Sequence, residues 1–483
     1  MIDLRPVGYV IGWLVLILAV SMIVPAAADI AAGNGHWPAF ASAAGLTALV
    51  GGATAIACAN GVGERLTLQQ TFLLTTGVWA VLPLFAALPF LMGATGADAT
   101  DAVFEAMSGL TTTGSTVLTG LGSLPDGLLL WRGMLQWFGG IGIIVVAMVF
   151  LPELRVGGMQ IFRSEGFDTM GKVLPRAAEI AQQISGVYFG LTVVCALAYG
   201  AAGMDALDAV VHAMTTVSTG GFANTDASFG AYRGAHEYIA TVFMIAAALP
   251  FVLYVDLIAN GRGRPLLRDP QVRGLLGTLA VLVASAVVVL VLSHGHDPER
   301  ALREAAFNFT SILTGTGYAS ANYGAWSPVL VAAIFFAGLV GGCAGSTSCS
   351  VKVFRYQILL AAVAAQVRRI HSPHGVFRPR YGRRPVSEDV LASVMAFFVL
   401  FLISLGVTAV ALALTGLDFT TSVSGAAAAL ANIGPGLGPI IGPTGNFAPL
   451  GDAAKWILIA AMLVGRLELM VVFVLFTSRF WRA

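Results

Sequence analysis

The chain is 483 residues long, 57% apolar and 11% charged, with a mean hydropathy of +0.84 and a formal net charge of +1. So few charges cannot cover a soluble globule of this size, which makes the chain a polytopic membrane protein solvated by lipid. The near-neutral balance names no partner, nucleic acid included. The four cysteines, Cys58, Cys195, Cys343 and Cys349, lack metal-ligand or secreted-domain spacing, so neither a structural zinc site nor a disulfide framework is expected.

In chain order, two apolar spans at about 8–30 and 38–60 form a hairpin. The first begins near Tyr9 with no small-residue cleavage site after a short apolar core, and reads as a retained helix. Four similar units follow, each an outer helix, a short re-entrant helix, a Thr/Ser/Gly turn and a second helix. The first uses Gln70 to Gly93, Thr100 to Leu110 and Leu128 to Leu151, and ends in a basic loop with Arg155, Arg163, Lys172 and Arg176. The second uses Gln183 to Gly203, Asp205 to Thr216 and Glu237 to Ala259, and ends in Arg262, Arg264 and Arg268. The third uses Gly274 to Ser293, Pro298 to Leu313 and a broken helix from Ser327 to Ala365. The fourth uses Asp389 to Thr415, Asp418 to Ala431 and Ala454 to Thr477. The expected division is therefore a hairpin over 1–66 and pore repeats over 67–182, 183–272, 273–387 and 388–483. The fold class is an all-α membrane protein with four pseudo-repeated units around a central pore.

The turns read Thr111-Thr112-Thr113-Gly114-Ser115, Val217-Ser218-Thr219-Gly220-Gly221, Thr314-Gly315-Thr316-Gly317-Tyr318 and Ala431-Asn432-Ile433-Gly434-Pro435. With Gly114, Gly220, Gly317 and Gly434 taken as equivalent, they recur about every hundred residues, as a repeated structural unit does. The re-entrant stretches are too short to cross a bilayer and open on Asp101, Asp205, Pro298 with Glu299, and Asp418, residues suited to helix N-termini. Their carbonyl ends then point at the axis, where partial negative charge favours a cation. Non-helical backbone at membrane depth must face protein or water, which places the turns on a pore. Lys and Arg concentrate in the loops assigned to the cytoplasm, whereas Arg233, Arg300, Arg303 and Lys455 are the outer bases among many more acids. The turns therefore face outward, behind an acidic mouth that concentrates cations.

Glycine allows backbone angles closed to other residues, so carbonyls can ring an axis. Thr112, Thr113, Ser218, Thr219, Gly315, Thr316, Asn432 and Ile433 precede the glycines and complete a candidate filter of uncharged ligands. Such ligands suit a monovalent cation; a carboxylate cage would suit calcium. Within the third unit's second helix, Gly341, Gly342, Gly345, Ser346, Thr347 and Ser348 predict a break bordering the cavity below the turns, a candidate gate. It lacks the Gly-Lys-Ser/Thr ending of a phosphate loop. A tight helix crossing that needs small residues is the alternative. Arg466 lies in the last apolar span, with Glu468 on another helix face, and is expected to project into the path as an electrostatic barrier; a distant structural ion pair is the alternative. Arg132, beside Trp131, reads as a packing or interfacial residue. The cluster Arg368, Arg369, Arg378, Arg380, Arg383 and Arg384 is either ordinary positive-inside charge or a dock for a cytosolic protein or anionic lipid.

At these residues the chain resembles the Trk/Ktr/HKT superfamily of potassium transport proteins, most of all its bacterial TrkH/TrkG branch. Phe104-Glu105-Ala106-Met107-Ser108-Gly109-Leu110-Thr111-Thr112-Thr113-Gly114, Ser218-Thr219-Gly220-Gly221-Phe222, Thr316-Gly317-Tyr318-Ala319, Asn432-Ile433-Gly434-Pro435-Gly436-Leu437-Gly438, Gly341 to Ser348 and Gly465-Arg466-Leu467-Glu468 carry the likeness, as does the extra N-terminal hairpin. The resemblance implies a potassium-translocating homodimer in the bacterial cytoplasmic membrane. A separate TrkA-like nucleotide-binding regulator would gate it, with potassium in the pore and no covalent cofactor. It also implies potassium preference from Gly114 and a gating role for the Gly341 to Ser348 segment. A secondary transporter coupled to sodium or protons, and the conducting subunit of a KdpA-like pump, are the competing readings. Scarce intramembrane carboxylates weigh against the first, and the hairpin and Arg466 against the second. No nucleophile, base and metal constellation supports an enzyme.

Overall fold

The computed structural model describes residues 2–61, 66–146, 158–159, 177–382 and 384–482. Among these, seven helices are long and apolar enough to cross a bilayer, and nine spans result if each of two bent pairs counts as one. The expected basic loop residues Arg155, Arg163, Lys172 and Arg176, the end of the first unit's second helix at Leu151, and Arg383 lie outside the described residues.

The N-terminal spans are Arg5–Ala32, turning slightly at Met22, and Trp37–Gly61. They approach closely because small residues meet: a Cβ on Gly12 would touch the Ala55 nitrogen and the Gly51 carbonyl. The outer end of the hairpin is tied to the first repeat by Asp29, which is fully buried. Its carboxylate accepts from the Gly127 N–H at 2.7 Å and the Asn34 side chain at 2.8 Å, and faces His36 Nδ1 at 2.9 Å.

The four units follow the expected plan. The re-entrant helices are Ala99–Leu110, Ala206–Val217, Pro298–Thr314 and Phe419–Ala431. Their aspartates cap as the sequence suggests in part. The first is capped by Asp98, which accepts from the Asp101 N–H at 2.8 Å, while Asp101 itself pairs with Lys455 from the fourth unit. Asp297, preceding Pro298, caps the third, and Asp418 caps the fourth through the Thr421 N–H at 3.0 Å. Hydrogen bonding to Thr421 holds the exposed Asp418 carboxyl below the usual carboxylate range.

Two expected repeat boundaries fall inside helices, since Ala177–Ala201 begins before 183 and Pro270–His294 before 273. The latter starts where it does because Asp269 accepts from the Gln271 and Val272 N–H groups and Pro270 occupies the first helical position. The second helices of the second and fourth units, expected to be continuous, are broken. Ala235–Ala247 meets Phe251–Asn260 at 90°, and Asp452–Arg466 meets Leu469–Leu475 at 109°. Pro250 lacks the N–H needed to continue the first. At the second break Glu468 adopts φ +60°. In the third unit Pro328–Val340 ends at Gly341 and the helix resumes as Val353–His371. A two-residue antiparallel ladder, Arg380–Tyr381 with Arg384–Pro385, folds back the following loop.

Candidate functional site

Each re-entrant helix ends in a turn built to one plan. The N–H groups of Thr113, Gly220, Thr316 and Ile433 donate to the carbonyls of Ser108, Thr215, Ser311 and Ala428, at 2.9, 2.9, 2.8 and 2.9 Å. The residue before each donor has positive φ: Thr112 (+51°), Thr219 (+51°), Gly315 (+77°) and Asn432 (+51°). So has the residue after: Gly114 (+87°), Gly221 (+75°), Gly317 (+81°) and Gly434 (+104°). The second turn's register is therefore one residue later than the sequence reading, and Gly221 is the equivalent of Gly114. Gly220 stands level with Thr113, Thr316 and Ile433, and Ser218 falls one step outside, level with Thr111. Two adjacent glycines hid this shift.

The four turns close on one another. A Cβ on Gly114 would strike the Gly220 carbonyl oxygen, one on Gly221 that of Thr316, and one on Gly317 that of Ile433. One on Gly434 would lie 2.8 Å from that of Thr113, returning to the first repeat. All four glycines line a single cavity of about 530 Å³, continued by Thr116, Phe222, Ala319, Pro435 and Asp226. Side chains stitch the ring: Asn432 donates to Thr113 Oγ1 at 2.9 Å, and the Thr314 and Thr316 hydroxyls pair at 2.8 Å. The Gly220 carbonyl accepts from Gln136 and the Gly434 carbonyl from Ser115, at 2.6 and 2.8 Å. A carbonyl keeps a second lone pair when one donor is bound.

Below the ring, the Gly341 to Ser348 segment is buried and shares its backbone bonds with the break in the second unit. Cys343 donates to the Ala248 carbonyl at 3.0 Å, and Phe251 donates to that of Gly345 at 2.9 Å. Thr347 Oγ1 donates to Ala247 at 3.0 Å. Ala344 donates to Gln271 Oε1 at 2.7 Å, and Ser348 Oγ reaches the Thr314 carbonyl at the base of the third turn at 2.6 Å. These partners let a non-helical stretch sit at membrane depth.

Arg466 is 1% exposed. It donates to Cys349 Sγ of this loop and to the Gly139 carbonyl at 2.7 Å, with its guanidinium 5.3 Å from the Trp79 ring. Among the described residues it pairs with no carboxylate. Glu468 pairs instead with Lys352 at 3.7 Å and with Arg355, at the end of the loop. Sequence reasoning missed Lys352 and Arg355; their signal was two cations beside the Gly/Ser break. Arg132, expected as a packing or interfacial residue, forms a buried ion pair with Glu105 at 2.8 Å. An acid and an arginine each inside an apolar stretch were the clue. Arg368, Arg369, Arg378, Arg380 and Arg384 are all exposed.

A family model described as TrkH, cation transport protein, matches residues 36–482. A Trk system potassium uptake protein TrkI of Halomonas elongata is 49% identical over 415 residues, 86% of this chain and 84% of its own length. The Trk system potassium uptake protein TrkH of Escherichia coli K12 is 36% identical over 483 residues, 99% of each chain. The crystal structure of the potassium transporter TrkH from Vibrio parahaemolyticus superposes with a TM-score of 0.90 at 32% identity, covering all of both chains.

Proposed function

The chain belongs to the TrkH family of cation transport proteins, multi-pass membrane proteins and not enzymes, and from that premise we propose that it takes up potassium across the bacterial inner membrane through a gated, channel-like pore. The closed ring of four Gly-bearing turns over one cavity carries this reading. In it, carbonyls of Thr112, Thr113, Gly114 and their counterparts in the other three repeats replace the water of a weakly hydrated monovalent cation. Gly221 takes the place first given to Gly220 at the glycine level. Thr112 Oγ1 and Asn432 Oδ1, buried without a hydrogen-bond partner among the described residues, are further oxygens suited to the task. The hairpin and the four repeats act as the units expected, with the second and third repeats starting at the helix ends described above.

The Gly341 to Ser348 loop acts as the gate beneath the ring, and Arg466 as a positive barrier beside it. Arg466 donates to Cys349, directly after that loop, so the two are mechanically joined. A TrkA-like regulator acting at the cytoplasmic face of a homodimer supplies control, and the exposed arginines of 368–384 suit that contact or anionic lipid. Coupling to sodium or protons is less well supported. The buried carboxylates among the described residues, Asp29, Glu105, Glu237, Glu304 and Glu468, are each engaged by a base or a backbone N–H through at least one oxygen.

Purified protein in liposomes tests the reading through rubidium and sodium flux. Rubidium should be favoured, Gly114→Ser should lower the discrimination, and Arg466→Ala should raise the flux. A flux that runs uphill, demands an imposed sodium or proton gradient and ignores both substitutions would replace the channel by a coupled transporter.

A further inference from the structure

Three of the four repeats anchor the strand that climbs away from the ring to their own re-entrant helix, by one side chain accepting a backbone N–H. In the first, Glu105 Oε2 accepts from Val117 N at 3.0 Å; in the third, Asn308 Oδ1 accepts from Ser320 N at 3.2 Å; in the fourth, Ser424 Oγ accepts from Leu437 N at 2.8 Å. The acceptor and donor are 12, 12 and 13 residues apart. In the second repeat, His212 stands level with Glu105 by the register of the turns, and its Nδ1 contacts the Asp208 carbonyl instead. Only the first of these anchors bears a charge.

That charge is 0% exposed and is met by a guanidinium 1% exposed. Arg132 Nε donates to Glu105 Oε1 at 2.8 Å, Nη1 to the Ala223 carbonyl at 2.7 Å and Nη2 to Thr116 Oγ1 at 3.3 Å. Its carbon lies 4.2 Å from the centre of the Phe222 ring. Thr116 in turn donates to both Glu105 oxygens at 3.0 Å, and its carbonyl accepts from Phe447 of the fourth repeat at 2.9 Å. Phe222 and Ala223 directly follow Gly221, and Thr116 stands two residues after Gly114. One planar fork therefore grips the strands leaving two adjacent turns of the ring, and a third strand joins through Thr116. Burying an ion pair is weak grounds for added stability, because desolvation offsets the attraction. Its worth here is geometric, since a planar guanidinium whose nitrogens donate to three different partners fixes direction as well as distance.

We propose that Arg132 and Glu105 are positioning residues that set the ion selectivity of the first and second turns, holding their strands at the spacing that discriminates between monovalent cations. The inference rests on the filter reading of the ring. Arg132 shares the cavity lined by the four glycines, and Glu105 neutralises it, so that no bare positive charge faces an arriving cation.

The test is the rubidium-to-sodium flux ratio of the full-length protein in liposomes, read beside its thermal unfolding midpoint. Arg132→Lys keeps the charge but cannot span Glu105, Ala223 and Thr116 together. Thr116→Val, nearly isosteric, removes the hydroxyl that links both partners. Each should lower the ratio, the first by about tenfold, the order carried by one charge-assisted hydrogen bond, while rubidium still passes. Wild-type discrimination in a folded Arg132→Lys protein overturns the inference, even if the midpoint falls. Should that variant fail to fold, Thr116→Val decides by the same criterion. Gly114→Ser serves as control: a ratio that does not respond to it removes the filter reading, whereas a response to Gly114→Ser without one to Arg132→Lys or Thr116→Val removes only the brace.

Discussion

Thr112, Thr219, Gly315 and Asn432 occupy one place in four repeats, and all have positive φ. Glycine is not required there: three repeats tolerate a side chain in the left-handed region, at a strain of about 1 kcal/mol that Asn reduces. A Cβ on Gly315 would find its nearest neighbour, the Asn432 carbonyl oxygen, at an ordinary 3.6 Å. Two residues on the situation reverses, because a Cβ on Gly317 would run into the Ile433 carbonyl of the next repeat, and backbone cannot step aside cheaply. Gly315→Asn should therefore fold and keep its rubidium preference, whereas Gly317→Ala should lose it. Equal damage from the two, measured as flux ratio and unfolding midpoint, would show that the pattern of close approaches does not govern the ring.

At the scale of elements, three second helices are broken, and each break is bonded to another. The carbonyls freed around Pro250 receive the N–H groups and hydroxyl of the Gly341 to Ser350 loop. The chain leaving that loop places Lys352 and Arg355 around Glu468, which has left its helix. Composition made the Gly/Ser break visible in the sequence. Pro250 was a local signal, submerged in an otherwise continuous apolar run. The break at Glu468 had none, because its cause lies on another repeat. Among the described residues Glu468 is the carboxylate that meets both cations, and removing one partner of a buried ion pair costs about 3–5 kcal/mol in comparable cases. Glu468→Gln should thus lower the unfolding midpoint in detergent clearly, and adding Lys352→Met should recover part of the loss. An unchanged midpoint in the single variant would mean that the three charges contribute nothing to holding the breaks together.

For the whole molecule, fourfold recurrence was legible because Gly-bearing turns between apolar runs are rare enough to be counted, and because each re-entrant helix opens on acids and prolines that read as helix starts. The repeat boundaries and the register of the second turn were less so. Asp269 with Pro270 sets one helix start earlier than periodicity alone suggests, and in Ser218-Thr219-Gly220-Gly221 only backbone angles tell which glycine is which. Interrepeat ties were invisible in one dimension: Lys455 to Asp101 joins the fourth and first units, and Arg303 to Glu237 joins the third and second. Lys455 and Arg303, two of the four outer bases that had looked like scattered exceptions in an acidic face, thus pin neighbouring repeats together. The measurement that bears most directly on all of this is anomalous diffraction from crystals grown in rubidium. Rubidium is expected on the axis enclosed by Thr113, Gly220, Thr316, Ile433 and the four glycines that follow them. Rubidium bound instead against carboxylates, with none inside the ring, would contradict the filter reading.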